Sequence, residues 1–405
     1  MLDVEAQLKQ LKRRIAAIDR KYAAEPRKLP KQATRSRWFI EEWAEGQVVA
    51  NEFGEHFQTE RLFPRHKLHG SVDIGALADL PENLLQVLGG AEIPNAPPER
   101  WAFLDTETTG LLGDSGTYAF LIGVGRITAE GFRIRQFFLR EYLEERSVLA
   151  ALTEHLAEFD VLVTYNGKTY DQPLLEMRYR MARHTSPFSR MRHVDLLHGA
   201  RQLWKLRMES CRLVELEQQI LGVYREGDLP GELIPYVYFE YLRSHEAQRL
   251  VPIFHHNAID ILTLACLTAI VPAAFRNKEA KRGEDLAGIA RWLIAANEHA
   301  QALEVLKRAI DAGLPDRLLF RSLWEVALLE KKLKNSQAAL QGFTELAECR
   351  NEYRVPALEE LAKHYEHEER NYAVALEFTN QALQHADSPA LRRRQERLSK
   401  RLKKI

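Results

Sequence analysis

WAFLDTET at 101–108, YAFLIGVGRIT at 118–128 and FRIRQFFLR at 132–140 decide the fold. Each run is rich in β-branched and aromatic residues, and short glycine-bearing segments separate them, which predicts an antiparallel three-strand meander. The pattern then changes: 143–159 reads as a helix, VLVTYN at 161–166 as a buried strand, and a second helix opens near Asp171. Three strands followed by helix, strand and helix predict a mixed α/β sheet with helices on its faces.

Upstream, Val4, Leu8, Leu11, Ile15, Ile18 and Tyr22 form one apolar helical stripe that Pro26 and Pro30 end, and KQATRSR at 31–37 reads as a linker. Segment 38–100 carries β-type pieces such as QVVANEF and HKLHGSVDI, and the breaker run IPNAPPER at 93–100 suggests a domain boundary. Residues 195–272 read mainly as helices, interrupted by the turn-rich GVYREGDLPGE. Beyond about 283 the chain reads as all-helical. The pair Ala-Leu recurs at 302–303, 339–340 and 375–376, a period of 36 to 37 residues that resembles tetratricopeptide-type helical hairpins; a plain helical bundle is the simpler alternative. The expected organisation is a basic helix and linker at 1–37, a small β-containing segment at 38–100, an α/β domain at 101–275, helical repeats at 283–390 and a basic tail at 391–405.

Composition excludes a disordered chain: 45% of the 405 residues are hydrophobic and 28% charged. Lys plus Arg equals Asp plus Glu at 57 each, so the whole-chain charge points to no partner. Its distribution is more informative. Residues 1–37 hold eleven Lys/Arg against four Asp/Glu, 38–100 four against eleven, and 391–405 eight against one. The basic ends are candidates for phosphate-backbone binding, with a solvated helical face as the alternative. Cys211, Cys266 and Cys349 are scattered, which argues against disulfides or structural zinc and fits a reducing, cytoplasmic compartment. No apolar run was expected to reach the roughly 18 residues of a membrane span, and the N-terminus lacks a signal peptide's apolar stretch.

Candidate chemistry lies in three places. Asp105 and Glu107 are two apart on a strand, so both carboxylates leave the same face, and Thr108 and Thr109 open the exit turn. In TYNGKTYDQPLL at 164–175 a buried strand ends at Asn166, a turn with Lys168 follows, and Asp171 starts a helix, where an Asp is often only a cap. In HHNAIDILTLACL at 255–267 Asp260 interrupts an apolar helix behind His255 and His256. Four such carboxylates can converge, and hard oxygen donors suit two divalent cations, Mg²⁺ or Mn²⁺. Of the histidines, His256 is favoured as general base, since four residues carry it to the same helix face as Asp260. Asp195 reads as a cap or supporting partner. Tyr236, Tyr238, Phe239 and Tyr241 could stack a base but read better as core, as do Trp204, Trp292 and Trp324.

DTETTG at 105–110, YNGKTYDQPLL at 165–175 and HNAID at 256–260 resemble, in order, the three exonuclease motifs of the DEDD superfamily. RHVDLLHGARQLW, ESCRLVELEQQILG and REGDLPGELIPYVYFEYLR extend the resemblance, over about 38–272, to the YprB-like family of RNase H-like proteins. The resemblance implies that Asp105, Glu107, Asp171 and Asp260 ligate two metals and that Glu107 orients the attacking water. It also implies that a histidine before Asp260 takes the water's proton. The implied activity is 3′–5′ exonuclease hydrolysis, on DNA rather than RNA, in DNA repair or maintenance. Thr108, Thr109, Asn166 and Lys168 are candidate substrate contacts, and the helical repeats a candidate protein-partner surface. Two other readings are a non-catalytic nucleic-acid binder and a helical scaffold with an incidental nuclease-like domain. Four retained carboxylates oppose the binder, because they repel phosphate.

Overall fold

The computed structural model describes residues 40–110, 116–225, 227–276 and 282–403; the helix expected within 1–37 lies outside them. The chain divides into two compact units, one of Met1–Leu196 with Leu216–Ala269 and the other of Leu197–Glu215 with Ile270–Ile405.

The first unit is built on a seven-stranded sheet of β1 (Gly46–Asn51), β2 (Gly54–Pro64), β5 (Trp101–Thr108), β6 (Ala119–Thr128), β7 (Gly131–Phe138), β8 (Val161–Thr164) and β9 (Arg192–Asp195). Its order is β1-β2-β7-β6-β5-β8-β9. The meander β5-β6-β7 is antiparallel, and β8 and β9 extend it in parallel, giving the expected mixed sheet. Helices Glu145–Leu156 and Asp171–Ala182 follow β7 and β8.

The boundary expected at 93–100 is corrected. β2 pairs antiparallel with β7 from Phe57 to Pro64, so segment 38–100 continues the same sheet. A two-residue hairpin ladder, β3 (Leu68–His69) with β4 (Val72–Asp73), follows it. The boundary after 275 also moves, because 197–215 and the chain from 270 fall in the second unit.

Glycines at 123 and 125 on one face of β6 let the helix Val251–Arg276 come close. A Cβ on Gly123 would stand 2.2 Å from Asn257 Oδ1 and 2.3 Å from Ile261 Cδ1, and one on Gly125 2.6 Å from Ile261 Cγ2. The expectation of no span-length apolar run is also corrected: Ala247–Arg276 is long and apolar enough to cross a membrane, yet 67% of its most apolar window is buried within the protein. It is a core helix by that burial.

In the second unit three helical hairpins follow one another: Gly283–Ala295 with His299–Asp311, Asp316–Lys332 with Ser336–Glu348, and Arg354–His367 with Tyr372–His385. The recurring alanines 302, 339 and 375 are all buried, each on the second helix of its hairpin. The segment expected as a basic tail at 391–405 is instead largely helix Pro389–Leu402, which buries Leu391 and Leu398 and places Arg397 on the buried Glu366 at 2.8 Å. Leucines spaced seven apart among the arginines give that helix an apolar face.

Gly123→Ala forces the core helix away from β6. We expect a loss of about 1–3 kcal/mol in urea unfolding, the usual cost of overpacking. A loss below about 0.5 kcal/mol would show that the close approach is not required.

Candidate active site

Four residues of adjacent strands form one row across the sheet: Thr59 on β2 opposes Gln136 on β7, Gln136 opposes Gly123 on β6, and Gly123 opposes Asp105 on β5. Glycine leaves a gap in that row, and Asn257 from the core helix fills it. Thr59 Oγ1 donates to Gln136 Oε1 at 2.9 Å, Gln136 Nε2 donates to Asn257 Oδ1 at 2.9 Å, and Asn257 Nδ2 donates to Asp105 Oδ2 at 2.9 Å. Asn257 is fully buried, so its amide orientation follows from this chain of partners.

Glu107 follows two residues after Asp105, and the β5-β6 register shifts just beyond it, between Glu107 and Thr108. Burial first, then the charges of Asp260 and Asp171, push the Asp105 carboxyl well above its usual range; Asn257 and Arg225 oppose the shift. Glu107 is raised likewise, by burial and then by Asp105, Asp260 and Asp171. Asp171 opens its helix and accepts from Thr106 Oγ1 at 2.5 Å; burial raises it to about 6 against that hydrogen bond. The sequence-selected carboxylates therefore share one electrostatic environment.

Asp171 is placed by the turn before it. Asn166 takes a left-handed φ of 65°, and Asp195 at the end of β9 accepts from the backbone N–H of Asn166 at 2.8 Å and of Lys168 at 3.1 Å. Asp195 is thus a support of the turn. The Lys168 side chain is exposed. Thr108 Oγ1 donates to Gly110 O at 2.8 Å, and Thr109 Oγ1 accepts from Tyr118 N at 2.9 Å, so both hydroxyls bind the exit turn.

Asp260 and His256 share a helix face, with His256 Nε2 3.5 Å from Asp260 Oδ2. His255 is exposed, its Nδ1 3.1 Å from Arg61 Nη1. Asp228 lies 2.9 Å from His256 Nδ1, and Arg225 Nη2 donates to Asp260 Oδ1 at 2.5 Å. Burial lowers the His256 pKa, but the Asp228 hydrogen bond and the Asp260 charge outweigh it and leave it raised. Tyr238 and Tyr241 are core residues, Tyr238 stacking on Phe120 with centroids 3.9 Å apart, while Tyr236 is exposed. Trp204 is buried and Trp292 and Trp324 are partly so.

Arg225, Asp228, Asn257 and Gln136 were not singled out in the sequence. REGDLPG reads as a plain turn, since Gly, Asp and Pro are ordinary turn residues, and nothing local marks Arg225 or Asp228.

The donor set suits a hard divalent cation: oxygen atoms only, with three carboxyls, Asp105, Glu107 and Asp171, whose ionisation is opposed by burial and by neighbouring carboxylates. As placed, no three His, Cys, Asp or Glu side chains among the described residues stand close enough to hold an ion. Asp105 is held by Asn257, Asp171 by Thr106 and Asp260 by Arg225.

A mixed sheet with acidic residues on the interior strand β5 and two helices that bring further carboxylates to bear on them fits an RNase H-type domain, and the RNase H superfamily model matches residues 102–271. Members of that superfamily are generally hydrolytic nucleases, and they typically use divalent metal ions. The uncharacterized protein YprB of Bacillus subtilis (strain 168) is 34% identical over 290 residues, spanning 70% of this chain and 69% of that protein. The chain belongs to that family within the RNase H superfamily.

Asn257→Leu removes the donor to Asp105 and the acceptor for Gln136. Each orphaned buried group costs about 1–3 kcal/mol, so urea unfolding should fall by at least that much. A change under about 0.5 kcal/mol would mean that the chain of hydrogen bonds does not hold the carboxylate.

Proposed function

We propose that this protein is a metal-dependent 3′–5′ exonuclease of the DEDD type acting on DNA, with a place in DNA repair or maintenance. The observation that carries the reading is that the charges of Asp171 and Asp260 both bear on the buried carboxyls of Asp105 and Glu107, from positions up to 155 residues away in the chain. These four carboxylates would hold two divalent cations, Mg²⁺ or Mn²⁺. When bound, such ions neutralise charge on the phosphate and lower the pKa of a water molecule. Loading them requires side chains to leave their present partners, Asp260 above all.

The chain's own residues supply the rest. Glu107 orients the attacking water, and His256 Nε2, which faces Asp260, accepts its proton. The water oxygen then bonds to phosphorus and the 3′ oxygen of the preceding nucleotide leaves. His255 is turned away toward Arg61 and serves no proton transfer. Asn166, Lys168, Thr108 and Thr109 line the approach; only Lys168 offers an exposed charge to a phosphate. The second unit is a tetratricopeptide-like array that binds a protein partner, and the whole operates in the cytoplasm.

Full-length protein incubated with 5′- and 3′-labelled DNA and RNA, single and double stranded, with Mg²⁺, Mn²⁺ or chelator, tests this directly. A metal-dependent ladder shortening from the 3′ end of DNA is expected. Endonucleolytic products, an RNA preference or activity in chelator would each overturn the corresponding element of the proposal.

Asp105→Ala, Glu107→Ala, Asp171→Ala and Asp260→Ala should each lower turnover roughly a thousandfold or more while the protein stays folded by circular dichroism. A folded, fully active Asp171→Ala variant would reduce Asp171 to a helix cap. With saturating Mn²⁺, His256→Ala should lose about a hundredfold or more in kcat and His255→Ala less than about threefold. The reverse order would assign the base to His255.

A further inference from the structure

The loop between the π-helix Glu217–Leu221 and the helix Ile234–Ser244 carries Arg225 and Asp228, which the reaction scheme above does not use. Arg225 Nη2 reaches Asp260 Oδ1 at 2.5 Å, Arg225 Nη1 reaches Asp228 Oδ2 at 3.0 Å, Asp228 Oδ2 lies 2.9 Å from His256 Nδ1, and His256 Nε2 lies 3.5 Å from Asp260 Oδ2. The four residues close a ring. Resting on the hydrolytic reading of this site, we infer that Asp228 and Arg225 are positioning residues: Asp228 keeps the His256 proton on Nδ1 so that Nε2 faces the site, and Arg225, anchored on Glu217, holds Asp228 in place.

The guanidinium suits this task because its planar fork serves several oxygens at once. Its Nε is engaged at 2.6 Å with Glu217, a fully buried carboxylate that also accepts from Thr263 Oγ1 at 2.9 Å. That anchor fixes Arg225 without help from Asp260. An ion-pair network serving only to pin the loop needs no histidine in it, and Asp228 spends both oxygens near His256 Nδ1, at 3.0 and 2.9 Å. A second ring nitrogen held by a carboxylate is the general means of fixing a tautomer. The backbone is shaped for the purpose: Gly222 and Gly227 take φ of 75° and 78°, which turn the chain on either side of Arg225 and bring Asp228 back toward the helix.

The test uses full-length protein labelled with ¹⁵N-histidine, with His256 assigned by the signal lost in His256→Ala. At a pH above its titration, located from the same ¹⁵N shifts, wild-type His256 should carry its proton on Nδ1, and Asp228→Asn should mix or reverse the tautomers. In Mn²⁺ the same variant should lose about a hundredfold or more in kcat with KM changed less than about threefold, and Asp228→Glu should recover part of the loss. Arg225→Lys keeps the buried charge but not the fork, so it provides the second variant: kcat should fall about tenfold or more. An Nδ1 proton retained in Asp228→Asn, or kcat within about threefold of wild type in either variant while His256→Ala is inactive, would overturn the inference. If wild-type protein hydrolyses no nucleic acid, the nuclease reading falls, and the tautomer comparison still decides whether Asp228 positions His256.

Discussion

The first unit depends on one close approach, that of the core helix to the glycine face of β6. Because residues 123 and 125 lack a Cβ, Ile261 packs on the strand and Asn257 enters the row between Gln136 and Asp105. A single contact thus sets the depth of the helix, satisfies a buried amide and orients the first carboxylate. The same helix carries His256 immediately before Asn257 and Asp260 immediately before Ile261, so their distance from β5 follows from it. Apolar packing and site geometry are therefore not separable here.

Segment 38–100 supports that arrangement from behind at two points. On β2, Thr59 begins the hydrogen-bond chain that ends on Asp105. On β3, His69 Nε2 meets Thr263 Oγ1 at 2.9 Å, and Thr263 donates to Glu217, whose other oxygen anchors Arg225 against Asp260. Asp105 and Asp260 are each held by a relay of buried polar groups beginning in a segment whose sequence suggested a separate module. Burial makes such relays costly to leave incomplete, so each member is constrained by the next.

The sheet was legible in the sequence because β5, β6 and β7 are rich in β-branched and aromatic residues and are separated by segments that carry glycine, a local pattern with local causes. Asp105, Glu107, Asp171 and Asp260 stood out because charge at strand ends and in an apolar helix is unusual, and the charges of Asp171 and Asp260 do bear on Asp105 and Glu107. What sequence could not reveal depends on register. Thr59, Gln136 and Gly123 share a row only through pairings of strands far apart in the chain, and nothing local marks Gln136 as polar and buried. The boundary at 93–100 failed for the same reason: its prolines break local structure, yet β2 had already committed its backbone to β7. Arg225 and Asp228 were hidden by a turn composition that has a sufficient local explanation.

The central claim is that the four carboxylates of the first unit form one cation-binding hydrolytic centre. Anomalous diffraction from crystals of the protein soaked in Mn²⁺ tests it most directly, because it locates the ion without reference to activity. The account predicts anomalous density bounded by Asp105, Glu107, Asp171 and Asp260, with the Asp260 carboxylate turned toward it. Density confined to other sites, or none at these residues at saturating Mn²⁺, would contradict it.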